Sequence, residues 1–313
     1  AEILTLRERA KVLAQVRQFF AARGVMEVDT QCMSHAAVSD PFIDTLEVAY
    51  HSYPGAEAET LYLQSSPEYA MKRLLAADSG PIYQLGKAFR NGEVGRFHNP
   101  EFTMLEWYRP RFSSEQLMDE VQELVSEILG AQHWERLSYR DLFMRFVGLD
   151  PHSASIPELK AVLEPQFECP FADERKDTWL ELVMSHLIEP KLIEPVMVYD
   201  FPASQAALAE IKHDSNGVRV ATRFELYAGG MELANGYQEL RDSAEQADRL
   251  QADEAFRAQN ELPLRPLETR LVAALDAGFP ACSGVALGFD RLLMVKLGLS
   301  SIKEVIPFAY ERA

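Results

Sequence analysis

Several side chains in this 313-residue chain stand at spacings suited to charged ligands. In Arg223-Phe-Glu225-Leu-Tyr227 the residues alternate, and Gly229-Gly230 can turn the chain back into Met231 to Asn235. A two-residue turn there puts Tyr227 opposite Glu232, with Glu225 a same-face diagonal neighbour of Glu232 roughly 7–8 Å away. Two carboxylates so placed repel unless a cation joins them. Mg²⁺ bridging to phosphate oxygens is the usual cation, although two solvent-facing acids would read the same way. On the stretch Glu101 to Tyr108, period-two alternation gives Phe102, Met104, Glu106 and Tyr108 one face. A carboxylate beside a phenol suits a substrate ammonium group, and a solvated edge strand is the plainer reading. Arg90 opens a polar loop holding Asn91, Gly92, Glu93, Gly95, Arg96, His98 and Asn99. Guanidinium forks suit phosphates, and an exposed hairpin loop has the same composition. Finally, Gly284-Val-Ala-Leu-Gly288-Phe-Asp290-Arg291 reads as a glycine-relaxed strand entering an apolar helix, with Arg291 at the junction. Its glycines let a nucleotide lie against the backbone, but no Walker or Rossmann pattern is present.

The elements that must position these groups are legible in outline. Leu6, Ala10, Leu13 and Phe20 share a helical face, with Gly24 at the C-terminal cap and Val25 to Thr30 a short strand. Ile82 to Phe89 and Glu101 to Tyr108 form a long-looped hairpin. Ser113 to Leu129 reads as a helix, with Ser113 and Gln116 at capping-box spacing and Gly130 as its stop. Two further helices are expected from about Ser243 to Asn260 and from Leu267 to Ala277. The stretch 150–195 carries many prolines and charges and reads as a helical insertion in a single domain spanning 1–313. Strands outside βαβ order predict an α+β fold, an antiparallel sheet flanked by helices.

Bulk composition narrows the function classes. Hydrophobic residues make up 47% and charged residues 25% of the chain, a globular balance with no run long enough to span a bilayer. Cys32, Cys169 and Cys282 lie far apart, which argues against a zinc site or a disulfide framework and points to a cytoplasmic setting. The net charge of −17 disfavours broad nucleic-acid binding but leaves room for a small basic pocket.

Taken together, these signals resemble the three motifs of the class II aminoacyl-tRNA synthetases, in order. Phe20 to Thr30, with Gly24 and Glu27-Val-Asp-Thr30, resembles motif 1, the dimer-interface helix and strand. Phe89-Arg90-Asn91 through His98-Asn-Pro-Glu-Phe-Thr-Met-Leu-Glu-Trp-Tyr108 resembles motif 2 of the lysine-specific branch almost letter for letter. Gly284 to Arg291 resembles motif 3. Leu63-Gln-Ser-Ser-Pro-Glu68, Met71-Lys-Arg-Leu74 and Glu232-Leu-Ala-Asn-Gly-Tyr-Gln-Glu239 also match the lysyl enzymes. The resemblance implies ATP and Mg²⁺ as cofactors, with roles residue by residue. Arg90 would hold the substrate carboxylate and α-phosphate, and Arg291 the γ-phosphate. Phe102 would stack on adenine, and Asn91, Gly92, His98 and Asn99 would line the ATP loop. Glu225 and Glu232 would bind Mg²⁺, with Leu233 and Gly288 beside the nucleotide. Glu68, with Ser66 and Pro67, would take the α-amino end of the amino acid, and Tyr108, Asn235 and Glu239 its distal ammonium.

Motif 1 begins almost at residue 1, so no anticodon-binding domain is expected, and tRNA is a poor partner. The chain is identified by this resemblance as a member of the truncated bacterial paralogues, the elongation factor P–(R)-β-lysine ligase family. That family activates β-lysine as an adenylate and joins it to a lysine ε-amino group of elongation factor P. Ser66 and Ala286 stand where lysyl enzymes usually carry other residues, which implies an altered amino-acid pocket. Gln31 replaces the proline that commonly ends motif 1, and Gly92-Glu93 replaces the usual Glu after Arg90-Asn91. Two alternatives remain open at this point. One is a lysyl-tRNA synthetase core; the other is an inactive synthetase-like regulator, against which stand Arg90, Arg291, Glu225 and Glu232.

Overall fold

A computed structural model describes residues 1–130, 133–166 and 173–313; Cys169 lies outside the described residues. The chain divides into two compact units, 1–111 with 240–313, and 112–239.

The first unit begins with α1 (Ile3–Ala22), β1 (Met26–Glu27), β2 (Met33–Ser34), β3 (Glu47–Tyr50), β4 (Glu59–Leu63), α2 (Glu68–Ala76), β5 (Ile82–Phe89) and β6 (Glu101–Pro110). The second unit follows with α3 (Ser114–Leu129), β7 (Glu135–Ser138), α4 (Tyr139–Val147), α5 (Ile156–Leu163), α6 (Lys176–Val183), β8 (Val196–Pro202), β9 (Ile211–His213), β10 (Arg219–Ala228) and β11 (Met231–Gln238). The chain then completes the first unit with α7 (Ser243–Gln259), α8 (Thr269–Asp276), β12 (Cys282–Gly288) and α9 (Phe289–Leu297).

Within the first unit the strands run β1-β5-β6-β12, with β1 parallel to β5 and the rest antiparallel. The expected strand from Val25 to Thr30 pairs regularly only at Met26 and Glu27. Beyond it the Val28 amide still reaches the Tyr83 carbonyl at 2.8 Å, and the Thr30 amide takes the Gln84 side chain instead of backbone. α1 covers this sheet through Phe20, which stacks on Tyr83 at 4.4 Å and meets Trp107 edge-on at 5.3 Å. Its buried stripe is Arg9, Val12, Val16, Phe19 and Phe20, while Ala10 faces solvent. The apolar spacing alone predicted a stripe through Leu6 and Ala10; a buried ion pair at Arg9 rotates it.

In the second unit the order is β11-β10-β8-β7, with β9 pairing to β10. β7 is parallel to β8, and the other pairs are antiparallel. One apolar core, including Phe143, Trp179, Val198 and Tyr227, joins α4 to α6 and their following turns to β8 and β10. The Ser113–Gln116 capping box forms, and Gly130 closes α3 in the left-handed conformation. The Gly229-Gly230 turn has φ of 63° and 74°, a conformation available to glycine at little steric cost.

Candidate active site

The sequence left open whether the Glu106 strand is a solvated edge. It is central: β6 lies between β5 and β12, and Glu106 pairs across to Gln84 on one side and Ala286 on the other. Glu106 and Tyr108 are 1% and 2% exposed. The Tyr108 hydroxyl donates to Glu106 Oε1 at 2.6 Å, and Ser66 Oγ donates to Oε2 at 2.8 Å. Ser66 in turn accepts the Glu68 amide at 3.0 Å, at the start of α2, where Pro67 is the N-cap. Lys72, one turn along α2 and buried, donates to Glu68 Oε1 at 2.6 Å. Burial, then the neighbouring Glu68, pushes the Glu106 carboxyl up to about 8, against hydrogen bonds from Tyr108 and Ser66 and the charge of Lys72.

The loop between β5 and β6 is held at several points. Gly92 sits at φ 75°. The Asn91 amide group donates to Asp44 Oδ2 at 2.7 Å, and its backbone N–H to the Asp44 carbonyl at 2.9 Å. Asp44 is anchored by Arg265 at 2.7 Å. Burial favours its neutral form, but the hydrogen bonds from Arg265 and Asn91 hold its carboxyl below the usual range. Asn99 is buried and uses both ends of its amide on backbone, donating to Glu101 O at 2.7 Å and accepting from Tyr310 N at 3.0 Å. The Arg90 guanidinium lies over the Phe102 ring at 5.1 Å and is 3.8 Å from Glu93. Arg291 leaves the start of α9, just after Gly288, and donates to His98 Nε2 at 2.7 Å and to the Phe97 carbonyl at 3.3 Å. Burial, then Arg291, and also Arg90, hold the His98 imidazole below its ordinary range against the opposing charge of Glu93. One imidazole therefore feels both guanidiniums, and as an acceptor from Arg291 it is neutral at that nitrogen.

In the second unit, Tyr227 pairs with Glu232, as the turn requires. Beyond that pair the register shifts, so that Leu226 faces Ala234 and Glu225 faces Asn235. Leu233 is the extra residue of a β-bulge. Glu225, Tyr227, Glu232 and Asn235 consequently share one face. Glu225 accepts from Arg223 and from the Tyr227 hydroxyl. Burial, then Glu225, then Glu232, push the Tyr227 phenol well above its ordinary range, so both carboxylates act on one phenol. Glu239 is 1% exposed and its neighbourhood includes the bridge partner Ala209. Hard carboxylate oxygens at Glu225 and Glu232 fit Mg²⁺. Among the described residues no group of three or more His, Cys, Asp or Glu is arranged to hold a metal, so further oxygens would come from a ligand.

The family profile described as tRNA synthetases class II (D, K and N) matches residues 3–312. A protein of Hamiltonella defensa named elongation factor P–(R)-beta-lysine ligase is 48% identical over 317 residues, covering 100% of this chain and 97% of the relative. The protein of the same name in Proteus mirabilis is 48% identical with the same coverage. This chain belongs to the class II tRNA synthetases, in the group of the elongation factor P–(R)-β-lysine ligases. A third relative so named, from Haemophilus ducreyi, is 48% identical over 316 residues, covering 100% of this chain and 96% of its own.

As a class II synthetase-family ligase, the chain uses residues that sequence spacing did not single out. Arg9 donates to Asp290 Oδ1 at 2.5 Å and to Thr103 Oγ1 at 2.7 Å, and Asp290 Oδ2 accepts the Thr103 amide at 2.6 Å. This buried network ties α1, β6 and the first turn of α9 together immediately before Arg291. Arg265 and Asp44 do the same for Asn91. Asp290 had a signal, a carboxylate beside an arginine at a strand–helix junction. Arg9 had none, because a lone arginine on a helix is ordinarily solvated.

Proposed function

We propose that this ligase uses ATP to activate (R)-β-lysine, or lysine, as an aminoacyl-adenylate and transfers the acyl group to a lysine ε-amino group of elongation factor P. The observation that carries the reading is the Arg291 guanidinium fixed on His98 Nε2 at 2.7 Å; burial first, then Arg291 and to a lesser degree Arg90, hold that imidazole below its ordinary range. Two guanidiniums around one neutral acceptor form a fixed cationic site for a polyphosphate.

In this reading Arg90 holds the substrate carboxylate against the α-phosphate, so that the carboxylate attacks in line and pyrophosphate departs. Arg291 takes the γ-phosphate, and Phe102 and the Gly92 and Gly288 backbone flank the base and sugar. Asn91 and Asn99, committed to Asp44 and to backbone, keep the loop in shape, and His98 keeps Arg291 aimed. Glu232 and Glu225 hold Mg²⁺, which when bound neutralises charge on phosphate oxygens; Leu233 lends backbone beside the nucleotide. Ser66, Pro67, Glu68 and Ala286 are assigned one amino group of the substrate, and Tyr108, Asn235 and Glu239 the other. A homodimer through α1 and β1, a cytoplasmic setting and no use of tRNA complete the proposal. No described helix is long and apolar enough to cross a membrane.

The test is ATP–pyrophosphate exchange with (R)-β-lysine and with L-lysine, beside mass spectrometry of elongation factor P and charging of lysine tRNA. Exchange followed by modified elongation factor P is expected. Charged tRNA with unmodified elongation factor P would refute the acceptor. In Arg291→Ala exchange is expected to vanish with the melting curve unchanged; wild-type exchange in that variant would refute the phosphate role.

A further inference from the structure

We infer that Glu189 is a positioning residue for the metal-holding hairpin: its carboxylate takes the Glu232 backbone N–H and so fixes the register in which Glu225 and Glu232 share a face. The inference rests on the proposed Mg²⁺ reading of those two acids and names what holds them in place. Glu189 opens a single 3₁₀ turn, Glu189–Lys191, that lies between α6 and β8 in the second unit. Its Oε1 accepts the Glu232 amide at 3.0 Å across 43 residues of chain. The same short segment caps the tip of the hairpin. There the Ile193 carbonyl accepts from Gly229 N at 2.8 Å, and the Leu192 carbonyl from Gly230 N at 2.9 Å.

The hairpin geometry creates the need for this acceptor. A two-residue turn makes Ala228 and Met231 the first, hydrogen-bonded pair, and bonded and non-bonded pairs alternate from there. Tyr227 and Glu232 are therefore a non-bonded pair, so the Glu232 N–H points away from β10 and needs an acceptor elsewhere. Glu189 supplies a charged one, the stronger kind. The extra residue of β11 lies at Leu233, just beyond this bond. Were it taken up in the turn instead, Leu233 would pair with Tyr227, and Glu232 would face the other side of the sheet from Glu225. Gripping the Glu232 amide favours the register that the structure shows.

The acceptor is presented from a rigid base. Ile188 and Leu192, on either side, are buried in the apolar core of this unit, and the Leu192 amide closes the turn onto the Glu189 carbonyl at 3.0 Å. Pro190 lies against the tip of the hairpin: a Cβ at Gly230 would stand 3.4 Å from its carbonyl oxygen. Glu189 is also within electrostatic reach of the two acids. Burial first, then Glu225, then Glu232, and last Glu189 favour the protonated Tyr227 phenol. The charge of Glu189 and its hydrogen bond are separable by substitution. Glutamine keeps an acceptor at the same reach without the charge, whereas aspartate keeps the charge one methylene short of the amide.

The experiment compares wild-type, E189Q, E189D, E189A and E232Q enzymes by two readouts. Hydrogen–deuterium exchange of the segment around Glu232 is followed by mass spectrometry in the metal-free enzyme. Half-saturating free Mg²⁺ is read from ATP–pyrophosphate exchange at saturating ATP and (R)-β-lysine. In E189D and E189A the segment exchanges deuterium about tenfold faster or more, through loss of a charge-assisted bond. Half-saturating Mg²⁺ rises in the same two variants by about tenfold or more. E189Q restores both readouts to within about threefold of wild type, since the glutamine oxygen accepts the same N–H. Wild-type deuterium exchange in E189D overturns the proposal, because the bond then holds nothing. An E189Q enzyme that loses Mg²⁺ affinity as far as E189D while its segment stays protected also overturns it, because the charge alone then matters. Should E189A fail to fold by circular dichroism, the E189Q and E189D pair decides. E232Q is expected to raise half-saturating Mg²⁺. If it does not, the metal reading falls and this inference with it; a raised value in E232Q beside wild-type values in E189D overturns only the inference.

Discussion

Replacing Gly236 with alanine tests the packing that aligns the strand bearing Glu232 and Asn235. Gly236 pairs with Phe224, whose ring lies across it. A Cβ built at Gly236 would stand 2.3 Å from Phe224 Cζ, 2.6 Å from Cε1 and 2.9 Å from Cε2. Carbon atoms pack at about 3.5–4.0 Å, so the ring must retreat by more than about 1 Å. Phe224 is 0% exposed, which leaves it nowhere to go without moving the strands. Overpacking of this kind costs about 1–3 kcal/mol. The smaller entropy of the unfolded alanine chain returns about 0.4–1 kcal/mol. A net loss of about 2 kcal/mol is expected at the upper end of the clash, a fall in Tm of about 4–8 °C for a domain of this class. The assay is urea unfolding followed by tryptophan fluorescence, with Gly288→Ala as the control. There the three atoms nearest the added Cβ are Arg291 side-chain carbons at 3.6–3.7 Å, an ordinary packing distance, and the backbone φ of −71° suits any residue. Phe224→Leu introduced into Gly236→Ala should recover part of the loss, with a coupling above about 1 kcal/mol in a double-mutant cycle. A Gly236→Ala protein within about 0.5 kcal/mol of wild type, or strict additivity with Phe224→Leu, would refute the reasoning.

Two further predictions concern the first unit. Arg9→Ala leaves the Asp290 carboxylate buried without its guanidinium and is expected to cost about 3–5 kcal/mol in urea unfolding; a loss under about 1 kcal/mol would show that the network contributes little. The His98 ring should titrate below its ordinary value in NMR, and its midpoint should rise in Arg291→Ala, since burial and Arg291 both favour the neutral ring. With the folded value below the unfolded one of about 6.5, the unfolded chain binds more protons as pH falls through that range. His98 therefore disfavours folding on the acid side, and a midpoint above about 6.5 in the folded wild type would contradict the assignment.

The sequence by itself determined the local elements. Ser113 and Gln116 form their capping box, Gly229-Gly230 make the hairpin turn, and Cys282 to Gly288 runs into α9. Each of these depends on contacts between residues a few positions apart, so the identities of neighbours suffice. The α+β class followed from their order. The tertiary structure decided which side chains share a face and which charges are buried. Without the bulge at Leu233, alternation would point Asn235 away from Glu225; with it, the two pair directly. Arg9 is buried only because Asp290, 281 residues later, is there to meet it. Glu106 could have been a solvated acid on an edge strand, and is buried because β12 closes over its other side. Register and long-range ion pairing are set by the energy of burying whole surfaces together, and no local pattern of residues encodes that sum.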